Sequence, residues 1–226
     1  EKVAKKHGLW DGESEFVWFK VFGNDYSNGK NFREREYFIL NALAPSLGLS
    51  MDDEELPFSV KPEEKVDARK VMELLRSTYE GTELDVTRNI KTINRKGDTI
   101  VSPVANPWMG STDIATYNMI APGTVDAMRT VSVSWCSYSF VTQLRSWMPD
   151  EIGGICWFSV ENPGQSPRIP IFTGSTILPS CFDECGHNNY NEETLLWRYR
   201  NANKLAQIQW GSTKNAMINS ILRYEE

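Results

Sequence analysis

Histidine is scarce in this chain, with only His7 and His187 in 226 residues. That scarcity removes most familiar catalytic machinery. There is no H-E-x-x-H pair for zinc, and a Ser-His-Asp or Cys-His site would have to use one of these two imidazoles. His7 falls at a helix end, where an imidazole suits the dipole whether or not it does chemistry, and His187 falls in a polar loop. Neither is expected to be a general base. The Walker loop, the G-x-G-x-x-G turn and the G-x-S-x-G elbow are missing as well.

Cysteine is also sparse. Four residues, Cys136, Cys156, Cys181 and Cys185, are too few for a disulfide scaffold at this length. Cys136 and Cys156 lie in apolar, strand-like runs and read as small buried hydrophobes. Cys181, Cys185 and His187 fall close together, but no second cluster supplies a fourth zinc ligand. A plain loop is expected there, ahead of a disulfide or a metal, and no cofactor is expected.

Long apolar runs and basic runs are missing too. No stretch approaches the roughly 20 residues a membrane span requires. The net charge of −6 is spread without a basic stripe, so nucleic acid is not an expected partner. A homo-oligomer and the cellular compartment are left open. The chain opens on Glu1 to Gly8, which reads as the last turns of a helix, basic near its end and stopped by Gly8. An initiator Met and a signal-peptide pattern are absent, and a preceding segment is expected.

What is present is a composition near globular averages, 40% apolar and 24% charged, taken as one domain over residues 1–226. Glu15 to Phe22, aromatic and β-branched, predicts a strand. Asn31 is a plausible N-cap for a helix that places Phe32, Ile39, Leu40 and Leu43 on one face and ends before Pro45. Asp67 caps a second helix carrying Val71, Leu74, Leu75, Thr78 and Tyr79, with Gly81 as its stop. Val131, Val133 and Trp135 alternate with Ser132 and Ser134, the pattern of a two-faced strand within a sheet-rich stretch from Met128 to Trp147. Gly153 to Val160 and Arg168 to Thr173 add two strands joined by Pro163 to Pro167, which makes a meander. Helices return from Thr194 to Ala206 and from Thr213 to Tyr224. The order predicts a layered α+β fold with antiparallel strands.

Several local phrases carry a family resemblance. Leu56-Pro-Phe-Ser-Val-Lys-Pro62, Val71-Met-Glu-Leu-Leu-Arg76 and Tyr79-Glu-Gly-Thr82 with Asp85 come first. Phe140-Val-Thr-Gln-Leu-Arg145, Trp147-Met-Pro-Asp150, Ile152-Gly-Gly154, Trp157-Phe158 and Pro170-Ile-Phe172 follow in order. Together they resemble the later part of the cysteine dipeptidases typified by dipeptidase A, to which the secernins are related.

The resemblance implies an N-terminal-nucleophile hydrolase fold, four layers in the order αββα, incomplete in this chain, and hydrolysis of dipeptides. It implies a nucleophile that is the first residue of the mature enzyme, a Cys whose own α-amino group serves as base. Glu1 cannot do this, and no internal Cys has a free amine, so the nucleophile is expected in an amino-terminal segment outside this sequence. Related amidases place an Arg beside the attacked Cys, where a fixed cation favours the thiolate and steadies the tetrahedral intermediate. Arg33 or Arg35 is the candidate for that role, against the alternative that both are exposed helix residues. Arg145 is a candidate for the substrate carboxylate, against a buried structural role. The alternative reading of the whole chain is a noncatalytic peptide- or carbohydrate-binding module, since eight Trp, eight Tyr and ten Phe could build an aromatic platform.

Overall fold

A computed structural model describes residues 1–23, 33–53 and 55–226. The chain divides into two units, Glu1–Glu64 and Lys65–Glu226, taken here in turn.

In the first unit, α1 (Lys2–Lys6) ends as expected. His7 closes it, Gly8 turns to φ +69°, Gly8 N–H donates to the Lys5 carbonyl at 3.2 Å and Leu9 N–H to the Ala4 carbonyl at 2.9 Å. That paired return is the Schellman stop, which favours glycine at the left-handed position. The expected strand over Glu15 to Phe22 is instead a single helical turn, α2 (Trp18–Phe22). The reason is local. Trp18 and Phe22, four apart, bring their rings to 5.4 Å, and Phe16 packs edge-on against Trp10 at 5.2 Å. No described strand of this unit lies beside the segment, so its β-propensity has nothing to act on.

The third helix, α3 (Glu34–Leu43), follows, and the expected cap Asn31 and Phe32 lie outside the described residues. Its buried residues are Glu34 and Tyr37, so the expected Ile39, Leu40 and Leu43 stripe is only half-buried.

The second unit opens with α4 (Ala68–Leu75), capped as predicted: the Asp67 carboxylate accepts from Lys70 N–H at 2.7 Å. The helix stops earlier than expected. Tyr79 is off it, at φ +63°, and its hydroxyl donates to the Arg129 carbonyl at 3.0 Å. A hairpin, β1 (Lys91–Ile93) with β2 (Thr99–Val101), and α5 (Ser111–Ile120) come next. Near them Val86, Ile90, Ala105 and Val125 form an apolar cluster.

The predicted meander is present. β3 (Tyr138–Leu144), β4 (Gly154–Val160) and β5 (Ile169–Phe172) form one antiparallel sheet in that order, with the short α6 (Asp150–Gly153) between β3 and β4. The alternating run Val131 to Trp135 is not a strand, however. Ser132, expected on the strand face opposite Val131 and Val133, is fully buried, where its N–H donates to the Ser77 carbonyl and its hydroxyl has a side-chain partner.

The two final helices are α7 (Leu195–Gln207), capped by Thr194, and α8 (Trp210–Glu225). They pack on each other, α7 packs on β4 and α4 packs on β3. The mixed, antiparallel architecture is the expected α+β class. Register puts Ser139, Val141 and Gln143 of β3 beside Ser159, Trp157 and Ile155 of β4 on one face. Val141, Ile155 and Ser159 there are buried. The opposite face presents Tyr138, Phe140 and Leu144, which are 57%, 53% and 77% exposed.

Candidate functional site

The connection between β4 and β5 reads as a surface turn, Pro163-Gly-Gln-Ser-Pro167, yet Glu161 through Ser166 is buried throughout. Burying a loop requires partners for every polar group. Asn162 supplies several: its amide oxygen accepts from Ser132 Oγ at 2.6 Å and Gly164 N–H at 3.0 Å, and its Nδ2 donates to Gln165 Oε1 at 2.8 Å. Gly164 is required where it stands, because a Cβ there would collide with Ser132 Oγ.

Glu161 sits at φ +65°, a conformation that costs about 1–3 kcal/mol in a residue with a side chain and persists only where surroundings enforce it. Here they do. Its Oε2 accepts from Asn203 Nδ2 at 2.7 Å and Asn162 N–H at 2.6 Å, and Arg200 Nε lies 3.7 Å from Oε1. Asn203 Nδ2 also donates to Ser166 Oγ at 3.0 Å. The carboxylate fixes which way the Asn203 amide faces, since a reversed amide would set oxygen against oxygen. Gln165 ties the same loop to the Asn203 carbonyl and to Gln207 on α7.

Beside this knot lies a second charged group. Arg76 Nη2 pairs with Glu225 Oε1, the same oxygen that accepts from Arg168 N–H. Arg168, 1% exposed, has its pKa pulled down to about 10, by burial first and by the nearby Arg76 charge second. Burial also pushes the Tyr199 phenol up to about 12. Cys136 is likewise raised, chiefly by burial, so its thiol is held away from the nucleophilic thiolate.

The sequence-predicted residues make other contacts, Arg33 and Arg35 in the first unit and Arg145 in the second. Arg33 precedes α3 and donates from Nη1 to the Asp53 carbonyl at 2.7 Å. Arg35 acts on its neighbour Glu34: burial raises the Glu34 carboxyl, and the Arg35 charge opposes the rise. Both arginines are half-buried, which differs from the fully exposed alternative. Arg145, in the other unit, closes the β3–β4 turn by donating from Nη2 to the Ile152 carbonyl and from its backbone N–H to the Gly153 carbonyl at 2.8 Å.

All four cysteines are free thiols, and among the described residues no group of three or more His, Cys, Asp or Glu is placed to hold a metal. Sequence reasoning missed Glu161, Asn162, Gln165, Asn203 and Arg168. The available signal was an acid and two amides packed into a Pro-Gly turn, a pattern that also fits any exposed loop.

The model that describes peptidase family C69 matches residues 1–222. The chain belongs to peptidase family C69. The resemblance to the cysteine dipeptidases expected from the local phrases is thereby borne out at the level of the family. Two relatives agree with it. A probable dipeptidase of Latilactobacillus sakei is 23% identical over 219 residues, which are 96% of this chain and 40% of the relative. A probable dipeptidase B of Streptococcus pyogenes serotype M1 is 21% identical over 206 residues, 91% of this chain and 37% of the relative. The chain therefore spans about two fifths of the length of these relatives.

Proposed function

We propose that this chain is the later portion of a cysteine dipeptidase, which hydrolyses the amide bond of dipeptides with a nucleophilic amino-terminal Cys outside these 226 residues. The observation that carries the proposal is the family match along nearly the whole chain, joined to relatives named as dipeptidases that are more than twice its length. The chemistry of the chain agrees. Neither histidine ring is hydrogen-bonded to a Cys or Ser among the described residues, and Cys136 is held in its thiol form.

In the complete enzyme the thiolate attacks the dipeptide carbonyl, its α-amine takes and returns the proton, and water hydrolyses the thioester. Arg33 or Arg35 stands beside that Cys and steadies the negative charge of the tetrahedral intermediate. Arg145 receives the substrate carboxylate. Its Nη2 is committed to the Ile152 carbonyl, while its buried Nε has no hydrogen-bond partner and is available as a donor.

The fold we propose is the four-layer αββα arrangement of N-terminal-nucleophile hydrolases. In the three-stranded sheet α4 packs on β3 and α7 on β4, and one face carries exposed Tyr138, Phe140 and Leu144, suited to stacking against a second sheet.

The test is release of free amino acids from unmodified dipeptides by the complete polypeptide. Arg145→Ala should weaken selection of free over amidated dipeptides by about tenfold or more, the worth of a charge-assisted hydrogen bond. An unchanged preference removes Arg145 from the site. A complete polypeptide that is folded and releases nothing would point instead to a noncatalytic binding module.

A further inference from the structure

Glu225 accepts from the Arg76 guanidinium and from the backbone N–H of Arg168, and the Arg168 guanidinium donates from Nη2 to Ser139 Oγ at 3.3 Å. The next carboxylate in the knot, Glu161, is already engaged by Arg200 and Asn203. Arg76 Nε and Arg168 Nε and Nη1 are buried without hydrogen-bond partners. Uncompensated buried cationic donors cost free energy that a second anion would offset.

Space for that anion adjoins Arg76. A cavity of about 650 Å3 lies between α4, α8 and the sheet, lined by Arg76 and Glu225 together with Met72, Trp157, Ile218 and Leu222. The Arg76 and Glu225 side chains are only 10% and 7% exposed, which sets them at its deep end. Trp157 is held in place there by donating from Nε1 to Gln143 Oε1 at 3.2 Å. The exposed charged lining residues are Asp67, Arg69, Glu73 and Glu226, and the acids among them disfavour a second negative charge at the outer end of a ligand.

We propose that this cavity binds a small amphipathic monocarboxylate, with its carboxylate on Arg76 and its apolar part against Trp157 and Met72. A carboxylate accepts from an Arg fork with good geometry, and an apolar pocket with a few convergent polar groups is the usual form of a small-molecule site. The site does not depend on the peptidase reading, and its ligand need not be a peptide.

Calorimetric titration with 3-phenylpropanoate and with 3-phenylpropanamide separates charge from shape. The acid should bind at least about tenfold more tightly than the amide, the value of one charge-assisted contact. Ala68→Trp, which fills the cavity from α4, should abolish binding while the circular dichroism spectrum stays native. Glu225→Gln removes the internal carboxylate that competes for Arg76 and should tighten the acid about threefold or more. Weaker binding in that variant, equal affinity for acid and amide, or no binding of the acid to the folded protein below about 10 mM would overturn the assignment. If either variant fails to fold, the comparison of acid with amide on the unaltered protein decides alone.

Discussion

Glu34 is a carboxylate buried at the start of a helix, with an arginine on each side. Burial raises its pKa above the ordinary 4.5, and Arg35 works against that rise. The folded state thus keeps this proton to higher pH than the unfolded chain does. Stability is greatest while both states are protonated and falls as pH climbs from about 4.5 through the folded pKa. Glu34→Gln should remove this decline and leave the protein more stable at neutral pH, read from urea unfolding midpoints at several pH values. An unchanged pH slope would contradict the burial penalty. The same neighbourhood separates the two arginines. In the complete enzyme, Ala at the one beside the nucleophile should cut kcat/KM by about 100-fold or more with the fold intact, whereas Ala at the other should alter stability alone. Near-native kinetics in both variants would remove Arg33 and Arg35 from the reaction.

At the scale of elements, local chemistry was legible wherever it acted within a few residues. Asp67 was readable as a cap because its carboxylate meets an N–H three residues on. Asp67→Ala should cost about 1 kcal/mol in chemical denaturation, and a loss near zero would mean that packing alone holds α4. The meander was readable from its apolar runs and turn residues, as were α7 and α8 from their spacing. The failures share one cause, partners far away in sequence. Val131 to Trp135 alternates like a strand, but Ser132 is drawn inside by Asn162 and the Ser77 carbonyl. Tyr79 extends the apolar spacing of α4, but its hydroxyl bonds to Arg129, fifty residues on, and the backbone leaves the helix. Glu15 to Phe22 has strand propensity and no described neighbouring strand in its unit to pair with. The buried loop Glu161 to Ser166 was hidden for the same reason: Ser132, Asn203 and Gln207 make it interior, and none is near it in sequence. The three candidate arginines came from the family resemblance and not from residue pattern, since nothing in their spacing separates them from ordinary helix or turn arginines.

At the scale of the molecule, burial holds Cys136 in its thiol form, and the proposed enzyme takes its nucleophile from an amino-terminal Cys outside these 226 residues. The bare aromatic face of the sheet fits the same view, because an exposed apolar patch of this kind marks a surface meant to be covered. The decisive measurement is dipeptide hydrolysis by the complete polypeptide in which Cys136, Cys156, Cys181 and Cys185 are all replaced by Ser, set beside a form in which only the amino-terminal Cys is replaced. The account predicts amino-acid release within about threefold of the unaltered enzyme in the first and a loss of about 1,000-fold or more in the second. Loss of activity in a natively folded first form, or its survival in the second, would contradict it.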